Sequence, residues 1–177
     1  IATMPTSRGE RAVVTLSDPD EPVPRLEELG MPDDMLATYR GAIAQRSGIV
    51  LIAGPRDSGK TTLARATLRS LDTDELCLVS VEDEITQYLP GVSQVQVQPQ
   101  FGMTRAAVMR AAITQHADLI SCAPGSYEEI ELAVRGATSG ALVLGRLPAY
   151  DAASALLRLM DMGLEAYQVA ASVRLSL

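Results

Sequence analysis

Four short, nearly uninterrupted apolar runs divide the chain, at residues 48–53, 76–81, 118–122 and 141–144. They are strand-length and rich in Val, Ile and Leu, the pattern of parallel strands buried on both faces. Helical spacing fills the intervals. Met35, Leu36, Tyr39 and Ile43 repeat at helical intervals over 33–45, with Asp33 as the cap. Residues 63–71 and 104–115 read as further helices. Ser126 with Glu129 spells a capping box that opens a helix to about residue 135. Asp151 caps another to about residue 162, broken by Gly163, and 164–177 reads as a last helix. Residues 92–97 alternate as a strand with one polar face, after a Pro90-Gly91 turn, and 12–16 read as a strand near the start. Residues 26–29 form a helical turn closed by Gly30, and the acidic, proline-containing 17–24 reads as a linker. Strands alternating with helices predict an α/β domain with a mainly parallel central sheet flanked by helices.

Composition narrows the function. The 177 residues suit one domain, and 47% hydrophobic residues suffice for a core even with only 3% aromatics. No run approaches the roughly 18 apolar residues of a membrane span, so direct membrane insertion is not expected. A net charge of -7 is a poor footprint for nucleic acid. The single His116 excludes a histidine-cluster metal site and a Ser-His-Asp triad. Cys77 and Cys122 lie in apolar runs and read as buried thiols. Ile1 is not an initiator residue, so the chain reads as a piece of something longer.

The chemistry concentrates at Gly54-Pro55-Arg56-Asp57-Ser58-Gly59-Lys60-Thr61-Thr62, which fits G-x-x-x-x-G-K-[ST] between a buried strand and a helix. Glycines let successive backbone N–H groups turn into one concavity that holds an anion. Lys60 sets an ammonium against the β- and γ-phosphates of ATP or ADP, and the Thr61 hydroxyl is a ligand for Mg²⁺. The following helix presents its positive end to the same anion. Glu82 and Asp83 end the second core strand, where α/β proteins place site residues, and are candidates for orienting water or supporting a metal; a plain solvated turn is the other reading. Asp118 opens its strand at the wrong end for the site and reads as a structural charge.

The order of these motifs resembles the secretion and pilus-assembly ATPases, the RecA-like motors of type II secretion and type IV pili. The resemblance runs through Pro5-Thr6 and Gly9-Glu10, residues 26–31, the P-loop, Val81-Glu82-Asp83, residues 89–92 and 94–97, Gln115 and Asp118, residues 138–143, and Arg158 to Gly163. It implies a RecA-like P-loop domain at 26–177, a linker at 17–25, and residues 1–16 as the tail of a small preceding domain. It further implies a cytoplasmic homo- or hetero-oligomer, a hexameric ring by resemblance, peripheral to the inner membrane and working with an inner-membrane platform protein.

Departures from the pattern share a direction. The acid expected after the third strand is Pro124; two expected histidines fall on Ala141 and Pro148; a second acid after Glu82 becomes Thr86; one of two expected arginines is Thr114, leaving Arg110; and the usual Thr-Gly pair of the loop is Arg56-Asp57. The groups that grip phosphate remain and those that position water or stabilise a departing phosphoryl are missing. A nucleotide-binding, hydrolysis-poor member of the family is therefore expected. The alternative is a working motor in which Glu82, Asp83 or Glu84 positions water. A small phosphotransferase is disfavoured by the acidic stretch 71–75, and a nucleic-acid motor by the net charge.

Overall fold

A computed structural model describes residues 2–14, 22–71 and 73–177. Strands β1 (Ala2–Thr6) and β2 (Gly9–Val13) pair antiparallel as a hairpin, every position of which is exposed. The expected strand at 12–16 is thus the end of a hairpin whose turn is Ser7-Arg8; Thr15 and Leu16 lie outside the described residues, as do residues 17–21 of the linker and Asp72. Val23, at the far end of that linker, is buried, and Arg69 donates to its carbonyl.

The rest is one six-stranded, all-parallel sheet: β3 (Gly48–Gly54), β4 (Leu78–Glu82), β5 (Val92–Gln96), β6 (Leu119–Cys122), β7 (Leu142–Pro148) and β8 (Val173–Ser176), in the order β5-β4-β6-β7-β3-β8. The expected α/β class with a mainly parallel sheet is what forms. Alternation sends Val50, Ile52, Leu119, Leu142 and Leu144 to one face, under α1 (Asp33–Ile43) and α2 (Lys60–Ser70). Ile49, Leu51, Val79, Ile120, Val143 and Leu147 face α3 (Arg105–Thr114), α4 (Tyr127–Thr138), α5 (Ala152–Asp161) and α6 (Ala166–Ser172). Helix α1 docks on α2 through Tyr39, which is fully buried and donates to Thr67 Oγ1 at 2.6 Å, because that oxygen's own proton goes to Leu63 O. Burial pushes the Tyr39 phenol up to about 12.

Several expectations are corrected. The last helix of 164–177 is only α6; Val173 onward turns extended and adds β8 to the free edge of β3, where Leu177 N–H donates to Leu51 O and Ala53 N–H to Leu177 O. An open edge of backbone donors and acceptors outweighs local helix preference there. Strand β7 runs on to Pro148, past the expected end at residue 144. Asp33 is the first helical residue, not the cap, which is Pro32. Ser126 does accept from Glu129 N–H, but the capping box is incomplete: the Glu129 carboxylate accepts from Gly125 N–H at 2.7 Å and pairs with Arg105. Cys122 is buried as expected, whereas Cys77 is exposed. His116 lies on the surface with φ 56, and Asp118 accepts from Cys77 N–H, a structural charge as read. Met160 and Met162 pack against the core. Among the described residues no helix is long and apolar enough to cross a membrane.

Candidate functional site

The buried run of β3 ends at Gly54, and the chain returns as α2 at Lys60, so residues 54–61 form the loop at the carboxyl edge of the sheet. Gly54 (φ 157) and Gly59 (φ 88) adopt backbone that other residues resist. A Cβ on Gly54 would fall against the Ser58 hydroxyl and 3.1 Å from its Cβ, so the loop closes tightly over this residue. Asp57 takes a left-handed conformation, φ 60, at the exposed tip. Among the described residues the backbone N–H groups of Arg56, Asp57, Ser58 and Gly59 have no hydrogen-bond partner. The loop therefore presents a row of free donors at the positive end of α2, beside the exposed Thr61 and Thr62. Lys60 folds back on its own loop, donating to Gly54 O at 2.9 Å, to Pro55 O and to Ser58 Oγ at 3.3 Å.

Two cavities flank this loop and share Lys60. One, about 700 Å³, is lined by Arg56, Lys60, Thr61, Arg65, Glu82, Asp83, Glu84, Ala123, Arg146 and Pro148. The other, about 290 Å³, is an apolar groove formed by Leu29, Met31, Leu63 and Leu177 beside Ser58, Gly59 and Thr62. A third cavity, of about 230 Å³, lies by Ile43, Arg46, Asp118 and Leu142, at the opposite edge of the sheet.

Sheet register explains the first cavity. Ser80 pairs with both Gln94 and Ser121, Cys122 with Gly145, and Ile52 with Arg146. Continued past the last paired residues, two steps from Ser80–Ser121 and one from Cys122–Gly145, that register sets Glu82, Ala123 and Arg146 in one row across the α2 face at the carboxyl edge. Glu82 is 4% exposed and its carboxylate is filled. Oε2 accepts from Arg65 at 2.9 Å; Oε1 accepts from Gln94 at 2.9 Å and from Ser80 at 3.0 Å. Burial pushes this acid up, but the Gln94 amide, the Arg65 guanidinium and the Ser80 hydroxyl together hold it below the usual carboxylate range. Asp83 is exposed and paired with Arg105, which also reaches Glu129 at 3.5 Å. Glu84 is exposed, with no partner among the described residues.

The loop and the Glu82–Asp83 pair expected from sequence are thus brought into one cleft. Pro124 is buried just past β6, and Pro148 lines the cleft, whereas Ala141 sits at the opposite end of β7. Arg110 lies outside this lining and pairs with Glu128 at 2.6 Å, both half exposed. Sequence reading missed Arg65 and Arg146. A lone charge inside the apolar run 142–148 was the available signal for Arg146; Arg65 becomes visible only once Glu82 is known to face α2.

A family model described as Type II/IV secretion system protein matches residues 1–177. The chain is 41% identical over 174 residues to the type II secretion system protein HxcR of Pseudomonas aeruginosa, covering 98% of this chain and 37% of that protein. It is 33% identical over 174 residues to the type IV pilus assembly ATPase PilB of Thermus thermophilus, covering 98% of this chain and 20% of that one. Its fold matches a crystal structure of the pilus retraction motor PilT with bound ADP at a TM-score of 0.72 and 26% identity, over 90% of this chain and 45% of the other. The chain therefore spans between a fifth and about two fifths of the length of these two curated relatives.

Proposed function

The chain belongs to the type II/IV secretion system protein family, and from that premise we propose that it binds ATP or ADP in the 54–61 loop and hydrolyses it poorly. One contrast carries the reading. The loop offers free N–H donors, the Lys60 ammonium and the positive end of α2, whereas the acids that would drive cleavage are replaced or already occupied. Pro124 has no carboxylate, and both oxygens of Glu82 are filled by three donors. Phosphoryl transfer is catalysed by positioning and electrostatics, and a carboxylate that already accepts three hydrogen bonds, one from a paired guanidinium, is a weak group for orienting water. The apolar groove at Leu29, Met31, Leu63 and Leu177 suits a base, which directs the terminal phosphate into the cleft beyond Lys60.

Residues 26–177 are read as this nucleotide-binding domain, 17–25 as a linker, and the hairpin as part of a separate small domain. A two-stranded sheet exposed at every position is marginal by itself and needs a neighbour. Assembly is proposed as a homo- or hetero-oligomer, a hexameric ring by family likeness, working in the cytoplasm against an inner-membrane platform protein. Exposed Tyr88, Phe101, Tyr150 and Tyr167 offer apolar surface for such contacts. The net charge of -7 argues against nucleic acid as the partner.

A second reading, a working motor, is favoured by one observation: Glu84 lines the cleft as an unpartnered acid. Phosphate release by the intact protein, alone and with an active relative, separates the two. Turnover is expected about a hundredfold or more below that relative assayed alongside, the scale of losing one positioned charge-stabilising group. Turnover within about tenfold of it, abolished by Lys60→Ala and by Glu84→Gln, establishes the motor instead.

Asp57→Asn tests the loop's own electrostatics. Asparagine tolerates the left-handed backbone and removes a negative charge from beside the bound anion. Nucleotide affinity is expected to rise roughly threefold at low ionic strength, with the gain shrinking as salt is added. Titration of a fluorescent nucleotide at two salt concentrations measures both.

A further inference from the structure

Arg146 is a cation with no ion-pair partner among the described residues. Its guanidinium has five donors, yet it makes one hydrogen bond, to Val81 O at 3.2 Å, and its buried Nε has no partner. That bond crosses β6. The β4–β6 ladder stops at Ser80 and Ser121, and the small Ala123 beyond it leaves room for the side chain to lie over the end of β6. Among the described residues no carboxylate forms an ion pair with Arg146; Glu82, in the same row, is paired with Arg65. Burial lowers the affinity of Arg146 for its proton; Cys122 and the Glu82 carboxylate oppose this in part, and the Arg65 and Arg105 charges add to it. Yet a guanidinium stays charged in proteins. A partly buried guanidinium with one hydrogen bond and no ion pair is costly unless something anionic completes it.

The residues that would accompany Mg²⁺ do not fit that ion well. The Thr61 hydroxyl is available, but the end of β6 carries Ala123 and buried Pro124, Glu82 already accepts three hydrogen bonds, Asp83 is paired with Arg105, and of the acids lining the cleft only Glu84 is unpartnered among the described residues. Among the described residues no three His, Cys, Asp or Glu side chains converge as metal ligands. A fixed cation stands over the end of β6 instead.

We propose that Arg146 supplies the positive charge at the terminal phosphate, so that this chain binds nucleotide without needing Mg²⁺. The proposal rests on the nucleotide-binding reading of the 54–61 loop. Of the two cavities, only the one beyond Lys60 holds Arg146, and a base in the apolar groove directs the phosphates there. A guanidinium grips phosphate oxygens through paired, charge-assisted hydrogen bonds, which suits it to this place.

The test is nucleotide affinity of the intact protein, by calorimetry with ATP and with ADP, in excess Mg²⁺ and in EDTA. Wild-type affinity is expected to differ by less than about threefold between the two conditions, and Arg146→Ala to lose more than about tenfold in EDTA but clearly less in Mg²⁺. Arg146→Lys, which keeps the charge without the fork, is expected to fall between. Wild-type binding that collapses in EDTA overturns the proposal and leaves the nucleotide reading standing; so does Arg146→Ala binding like wild type in EDTA. No saturable binding by wild type in either condition overturns both. The wild-type comparison needs no variant and decides the matter even if Arg146→Ala does not fold.

Discussion

Lys60→Ala is expected to weaken nucleotide binding about a hundredfold while leaving the melting temperature nearly unchanged. The estimate follows from removing an ammonium from a bound phosphate, on the order of 3 kcal/mol for a charged hydrogen-bonding group. The separation of binding from stability follows from where Lys60 lies. Its Nζ is spent on Gly54 O, Pro55 O and Ser58 Oγ, acceptors of its own loop. Pro55 and Ser58 are exposed, so water takes over once the side chain is shortened, and no buried charge is left behind. In the unliganded loop the lysine acts as a tether, and binding must exchange those oxygens for phosphate oxygens. Fluorescent-nucleotide titration and thermal melting of the same preparations check both halves. Affinity within about threefold of wild type would remove Lys60 from the phosphate site. A melting temperature lowered by many degrees would make it a structural residue.

The loop could be read from sequence because its constraints are local. A buried strand, two glycines at fixed spacing and a lysine opening a helix are neighbours in the chain, and each needs only its neighbours. The same holds for β3, β4, β6 and β7, whose apolar runs record burial on both faces. What sequence did not disclose depends on elements far apart in the chain. β8 exists because β3 has an open edge, and Val173 to Ser176 carries no stronger extended signal than the helix it follows. Glu82 reads as a free acid at a strand end until Gln94 of β5 and Arg65 of α2 are seen to close on it. Arg146 was hidden because β7 reads as ending at residue 144, and a charge beyond a strand looks solvated. Its position on a central strand, opposite Ile52, is what turns it into part of the cleft.

Arg65→Ala should cost about 3–5 kcal/mol of folding stability at neutral pH, the scale for removing one partner of a buried ion pair. Arg65 and Glu82 side chains are 11% and 3% exposed, so the remaining carboxylate would sit desolvated with only Ser80 and Gln94 to satisfy it. The pH dependence follows from the same balance. In the native protein Glu82 lies below its ordinary value, so its contribution is fully present above the unfolded carboxyl pKa of about 4.3 and is lost as pH falls through the folded value. Without Arg65, burial dominates and pushes the acid above its ordinary value, which reverses the sign: the variant should gain stability relative to wild type as pH falls from neutrality towards 4.3. Adding Glu82→Gln removes the stranded charge while keeping an acceptor for Ser80, so the double variant should recover most of the loss at neutral pH. Urea unfolding of wild type, both single variants and the double, at pH 7 and pH 5, closes the cycle. A double variant no more stable than Arg65→Ala would mean that the pair is not coupled as drawn. Recovery shows that Glu82 is the buried half of a structural pair between β4 and α2, and is therefore withheld from the acid–base work that its place at a strand end suggests.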